Sequence, residues 1–185
     1  SVAGNLPSLS SADADAVRQA VRYLYDLGHR QIARVGGPES LAHSYIRDSA
    51  FADVASELGM RYRCLHTDYT PETGREATKR LLAFSEHPTA IIYDNDVMAL
   101  AGLGVAASQG IKVPEEISIM SWDDSLMCTA AYPNLTAMGR AVVDTGRQAA
   151  GLLLKLIGGE RVGHLMEGPY ELRARASTGP APAAE

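Results

Sequence analysis

Residues Ala90–Asp124 read AIIYDNDVMALAGLGVAASQGIKVPEEISIMSWDD, and this stretch decides the fold class. Ala90-Ile91-Ile92-Tyr93 is a short apolar run of the kind found in fully buried strands. Asp96–Gln109 follows as a helix, which Gly110 ends. Pro114-Glu115-Glu116 then form a turn, and Ile117–Trp122 is a second apolar strand. Such strand–helix–strand alternation implies a parallel sheet with helices on both faces.

The alternation extends in both directions. Asp13–Leu27 places apolar residues at Ala16, Val17, Ala20, Val21, Leu24 and Leu27, which is helical periodicity, and Gly28 sits where a C-terminal cap belongs. Ile32–Val35 is a strand ending at Gly36-Gly37-Pro38. Leu41–Leu58 is a helix stopped by Gly59, Tyr62–His66 is the next strand, and Pro71 with Glu72 opens a helix that runs to Phe84. Downstream, Val142–Ile157 is amphipathic and helical, His164–Arg175 holds one or two strands, and Gly179–Glu185 (GPAPAAE) reads as a frayed tail.

The 185 residues suffice for one sizeable α/β core or two small lobes. The net charge is −5, without a lysine/arginine cluster, so the chain is poorly suited to gripping nucleic-acid phosphates by itself. No apolar run approaches bilayer length, and Ser1–Ser11 has neither the basic nor the apolar segment of a secretory leader. Cys64 and Cys128 lie far apart with no metal or redox spacing, consistent with free thiols in a reducing cytoplasm. His29, His43, His66, His87 and His164 show no metal-ligand spacing. The glycines form no G-x-G-x-x-G or P-loop, and there is no G-x-S-x-G elbow around Ser121. No metal, cofactor or catalytic residue is expected, and the chain is not read as an enzyme.

In parallel α/β sheets ligands collect at the carboxyl ends of the strands. Gly37–Ser44, Asp68–Tyr69, Asp94–Asp96 and Trp122–Ser125 all fall there, which marks that edge for binding.

Four stretches together resemble the LacI/GalR family of transcriptional regulators: Tyr23–Pro38 (YLYDLGHRQIARVGGP), Arg47–Phe51 (RDSAF), Ala90–Asp124, and Pro133–Met138 (PNLTAM) followed by GRQAAGLLLKLIGGE. The resemblance covers about residues 9–178. It implies a periplasmic-binding-protein-like fold of two doubly wound α/β lobes that close on a small molecule. On this reading the C-terminal lobe is complete, at 12–139 and 165–176, and the N-terminal lobe is mostly missing. Residues 1–11 are then a remnant of that lobe, 140–164 hold the crossover and a helix belonging to it, and 177–185 form a disordered tail. The remnant is expected to be disordered, rearranged or packed against another molecule.

The resemblance makes Asp123, at the end of the Ile117–Trp122 strand, an acceptor for effector hydroxyls, with charge-assisted bonds. Arg47 and His43, four residues apart on one helix, can share a face toward the cleft; the alternative for Arg47 is a solvated arginine pairing with Asp48 or Glu57. Asp96 is expected to cap the following helix, which leaves Asn95 facing the cleft. Tyr69 offers a flat ring to a sugar or nucleobase, and Trp122 faces either cleft or core. Arg140, in the crossover, would favour an acidic or phosphorylated ligand. Ala12 stands where the family commonly has an acid; Asp13 is its neighbour but is not placed in the site.

The function so implied is effector sensing in a cytoplasmic, homodimeric regulator. The effector is sugar-like first and purine-like second, and operator DNA is bound by a helix-turn-helix segment rather than by this chain. The alternative is a periplasmic sugar-binding protein of a transport system, which shares the fold.

Overall fold

The computed structural model describes residues 8–183. Six strands form the main sheet: β2 (Gln31–Gly36), β3 (Arg61–His66), β4 (Ala90–Tyr93), β5 (Ser118–Trp122), β6 (Thr136–Gly139) and β8 (Glu171–Arg173). Their order is β3-β2-β4-β5-β6-β8, parallel except for the antiparallel β8. Helices α1 (Asp13–Asp26) and α2 (Ala42–Glu57) cover one face, and α3 (Pro71–Leu82) and α4 (Asp96–Ser108) cover the other.

The two-residue period of the strands divides the core accordingly. Ile32, Ala90, Ile92, Met120, Trp122 and Met138 pack under α1 and α2. Ala33, Val35, Ile91, Tyr93, Ile119 and Ala137 pack under α3 and α4. Strands buried on both faces have no polar side to alternate, which is why Ala90–Tyr93 reads as a continuous apolar run. Gly28 ends α1 with φ 96°, a conformation that costs a side chain energy and glycine none.

Two elements lie outside what periodicity shows. Thr136–Gly139 is β6, the strand that carries the sheet beyond β5, and Leu126–Ala130 is a one-turn helix α5 capped by the Ser125 hydroxyl. The sequence TAMG has no continuous apolar run to mark a strand, and five residues are too few for helical periodicity.

The remnant segments depart from expectation in detail. Leu9–Ser10 (β1) pairs in parallel with Leu165–Met166 (β7) in a separate two-stranded ribbon. Residues 165–166 therefore belong with that ribbon, and the assignment of all of 165–176 to the larger unit is corrected. Residues 1–7 of the expected remnant lie outside the described residues. Helix α6 (Val142–Ile157) forms with none of its residues buried; Val143 is 73% and Ile157 74% exposed. Among the described residues nothing covers its apolar face. No helix among them is long and apolar enough to cross a membrane.

The tail expectation is overturned for residues 177–183, while residues 184–185 lie outside the described range. The Ser177 amide donates to the Asn134 carbonyl, and its hydroxyl lies between the Thr136 amide and the Ile119 carbonyl. Thr178 bonds Thr136 and Tyr23 through hydroxyls, and the Ala181 amide donates to the Leu27 carbonyl. Polar, proline-rich composition reads as a loose end, but here it supplies donors and acceptors to the buried starts of the interior strands β5 and β6.

His29 joins this strap to the core. Its ring is fully buried, with Nε2 3.2 Å from the Gly179 carbonyl and Nδ1 2.8 Å from the Thr89 hydroxyl. A carbonyl only accepts, so Nε2 carries a proton. Burial is the chief cause of a His29 pKa below the ordinary value of 6.5. The folded state then binds fewer protons than the unfolded state, so the stabilisation is complete above about pH 6.5 and declines as pH falls below it. Urea unfolding between pH 7.5 and 5 is expected to show that decline, with His29→Gln giving a shallower dependence; an identical slope in the variant would acquit His29.

Candidate functional site

The order of the five parallel strands places the topological switch point between β2 and β4, where their connections leave in opposite directions and open a crevice at the carboxyl edge. Asp94, the residue after β4, occupies it. Its buried carboxylate accepts from Arg34 Nε at 3.1 Å, and from the Gly37 amide at 3.4 Å. Arg34 itself is 1% exposed and also pairs with Asp48. Arg47, from α2, stands on the cleft side: its Nη1 is 3.6 Å from Asp94, and its Nε donates to Asp13 at 2.7 Å. Asp13 also accepts from the Ser11 hydroxyl and from Tyr170 at 3.3 Å.

The result is an alternating chain, Asp48–Arg34–Asp94–Arg47–Asp13, across the floor of the cleft. Burial alone would push the Asp13 pKa up, but Arg47 and the hydrogen bonds outweigh it and hold the carboxyl below its ordinary value. Burial likewise works against the Arg47 charge, and Asp94 and Asp13 overcome it.

A second group holds an aromatic wall. Tyr69 follows β3 with φ 69°, and its ring lies over Gly37; a Cβ at residue 37 would fall 1.9 Å from Tyr69 Cζ. His43 Nε2 lies 2.7 Å from the Tyr69 hydroxyl, and Asn95 Nδ2 donates to the Tyr69 carbonyl at 3.1 Å. Among the described residues Asp123 is the other non-glycine residue with positive φ, 64°. Left-handed backbone at a bulky tyrosine persists only where the surroundings enforce it, and such residues cluster at binding sites, whereas aspartate adopts it more readily. Asp123 is exposed to the open cleft, and desolvation beside Asp96 and Asp94, opposed by Arg140 and Arg47, leaves its pKa above the ordinary value.

Ser11, Asp13, His43, Arg47, Tyr69, Asp94, Asn95, Asp123, Arg140 and Tyr170 line one cleft of about 380 Å³. Six of the seven residues singled out in the sequence are therefore brought together. The seventh, Trp122, is a correction: it is 1% exposed and lies in the core beneath the site, its ring 4.5 Å from the Arg47 guanidinium and 5.3 Å from Tyr170. The cap expected of Asp96 is supplied by Asn95, which lines the cleft as well. Asn95 caps α4 by accepting from the Met98 amide at 2.8 Å, and Asp96 accepts from Ser125. Arg47 pairs with neither Asp48 nor Glu57, and Asp124, held by Arg173 and Arg175, is structural.

Four cleft residues, Ser11, Asp13, Asp94 and Tyr170, are not among the seven. Asp94 lay in the polar strand-end cluster. Asp13 was one residue from an expected acid. Tyr170 arrives from a loop whose distance in sequence hides it.

The order of the parallel strands and the cleft at their carboxyl edge define the class as a doubly wound α/β lobe. The chain belongs to the periplasmic binding protein-like domain family, whose profile matches residues 21–178. It is 34% identical over 179 residues, 94% of its length, to the HTH-type transcriptional repressor CytR of Escherichia coli K12, and spans 52% of that protein, about half the length of such curated relatives. A solved LacI family transcriptional regulator from Bifidobacterium animalis subsp. lactis DSM 10140 is similar at 61% identity and TM-score 0.92, over 95% of this chain and 65% of that one. The transcriptional regulator CelR, solved as a cellobiose complex, is similar at 28% identity and TM-score 0.87, over 94% and 54% respectively. These relatives are transcriptional regulators.

Removing Arg47 leaves Asp13 buried without its counter-ion and Asp94 with Arg34 alone. Arg47→Met is therefore expected to cost about 3–5 kcal/mol of folding stability, as breaking a buried pair does. Urea unfolding at pH 7 measures this; a loss within about 0.5 kcal/mol, ordinary for a surface substitution, would remove Arg47 from the framework.

Proposed function

We propose that this chain is the effector-sensing part of a LacI-type transcriptional regulator. It binds a small polyhydroxylated molecule, a sugar or sugar derivative, in the cleft between β2 and β4. The observation that carries this reading is Asp123: a carboxylate at a strand end, with left-handed backbone, exposed to the cleft and without an ion-pair partner among the described residues. Its two oxygens can accept from adjacent hydroxyls of a polyol, while Arg47 donates from the floor and the Tyr69 ring packs on the C–H face.

Regulation then requires that the ligand bind one relative arrangement of the domain better than another, since equal affinity would shift nothing. Operator DNA is contacted by a helix-turn-helix segment and not by residues of this chain, whose net charge is −5. The cytoplasmic location and homodimeric assembly of the whole regulator rest on its likeness to HTH-type repressors. A periplasmic transport receptor would use the same cleft, but the regulators among the relatives favour the sensing role.

Calorimetric titration with a sugar panel tests the assignment. Asp123→Asn keeps the shape and tolerates left-handed backbone but loses the charge. It is expected to weaken the tightest sugar by about 1.5–3 kcal/mol, the range for hydrogen bonds to charged groups. Unchanged affinity would remove Asp123 from the site.

A further inference from the structure

The charges around the cleft are already spent, with one exception. Arg47 is neutralised by Asp13 and Asp94. Arg140, the other cation of the lining, is met from behind: its Nη1 donates to Glu167 Oε2 at 2.9 Å. Glu167 does not line the cleft, and its side chain is 10% exposed. It is held there by its own amide, which donates to the Ser10 carbonyl at 2.8 Å, and by the Thr145 hydroxyl, 3.5 Å from the same carboxylate oxygen. The small β1–β7 ribbon thus delivers a carboxylate to the back of Arg140. The exception is Asp123, whose carboxylate has no ion-pair partner among the described residues.

We infer that Glu167 is a specificity-determining residue that cancels the Arg140 charge, so that the cleft accepts uncharged polyols and rejects phosphorylated or carboxylate-bearing ones. This rests on the effector reading of the cleft. An anionic ligand would find no uncompensated cation there and would approach the Asp123 carboxylate, a like-charge contact inside a partly desolvated site. The expectation from sequence that Arg140 favours an acidic ligand is thereby reversed. The arginine is present, but its charge is committed by a residue 27 positions away.

The test compares the protein and its Glu167→Gln variant in titrations with glucose, glucose 6-phosphate and inorganic phosphate at fixed ionic strength. Binding is followed by calorimetry and by the Arg140 Nε–Hε resonance, which reports on the guanidinium itself. In the unsubstituted protein phosphate is expected to leave that resonance in place, and glucose 6-phosphate to bind about ten-fold or more weakly than glucose. In Glu167→Gln phosphate is expected to shift the resonance saturably, and the preference for glucose to shrink about ten-fold or reverse. Glu167→Asp, which retracts the carboxylate but keeps its charge, is expected to fall between the two.

Saturable phosphate binding at Arg140 in the unsubstituted protein would overturn the inference, as would glucose 6-phosphate binding more tightly than glucose. So would a Gln variant whose Arg140 resonance still ignores phosphate. Failure of every form to bind glucose would count against the polyol reading of the cleft, while the phosphate titration would still decide the role of Glu167.

Discussion

The structure of the cleft depends on Asp94, one carboxylate shared by two arginines at the end of β4. Arg34 reaches it from β2, and Arg47 reaches it from α2. Buried ion pairs of this kind gain little net stability, because desolvation offsets most of the attraction, but they tolerate few alternative arrangements. The guanidinium of Arg47 is consequently set in one position before any ligand arrives. Every other cleft contact is measured from it: Asp13 accepts from its Nε, Trp122 lies beneath it, and Tyr170 leans on Trp122 while donating to Asp13. A donor held in place beforehand spares the ligand the cost of ordering it.

The second constraint is steric. Gly37 leaves room for one ring, and Tyr69 fills it, held by His43 at the hydroxyl and by Asn95 at the carbonyl. The residues that cap and terminate elements are here the same residues that shape the cleft. Asn95 both starts α4 and fixes Tyr69, so a change that loosened the helix start would also move the wall. This economy follows from the doubly wound fold, which brings strand ends, helix starts and their polar groups to one edge.

Much of this was legible in the sequence, because the buried strands and glycine-ended helices carry strong local signals. Ala90–Asp124 alone specifies a parallel β-α-β unit, and the polar strand ends point to the binding edge. What local pattern does not contain is pairing. Trp122 neighbours Asp123, but strand alternation turns the indole into the α1–α2 core while the backbone bends Asp123 toward the cleft. Asn95 and Asp96 are both competent caps, and only the backbone at residue 95, with φ −152° and ψ 166°, decides between them. Residues 177–183 look like a loose end until Ser177, Thr178 and Gly179 meet the starts of β5 and β6. The ion-pair chain that joins Asp13 to Asp94 spans 81 residues of sequence, and no periodicity links its members.

The most direct test of the central claim is a crystal structure of the protein with the tightest-binding member of a neutral sugar panel. The account predicts the sugar in the switch-point cleft, with adjacent hydroxyls on Asp123, a third on Arg47 and a ring face on Tyr69. A sugar bound elsewhere, for example in the surface groove lined by Arg18, Tyr23 and Leu172 beside α1, with the cleft residues undisturbed, would contradict it.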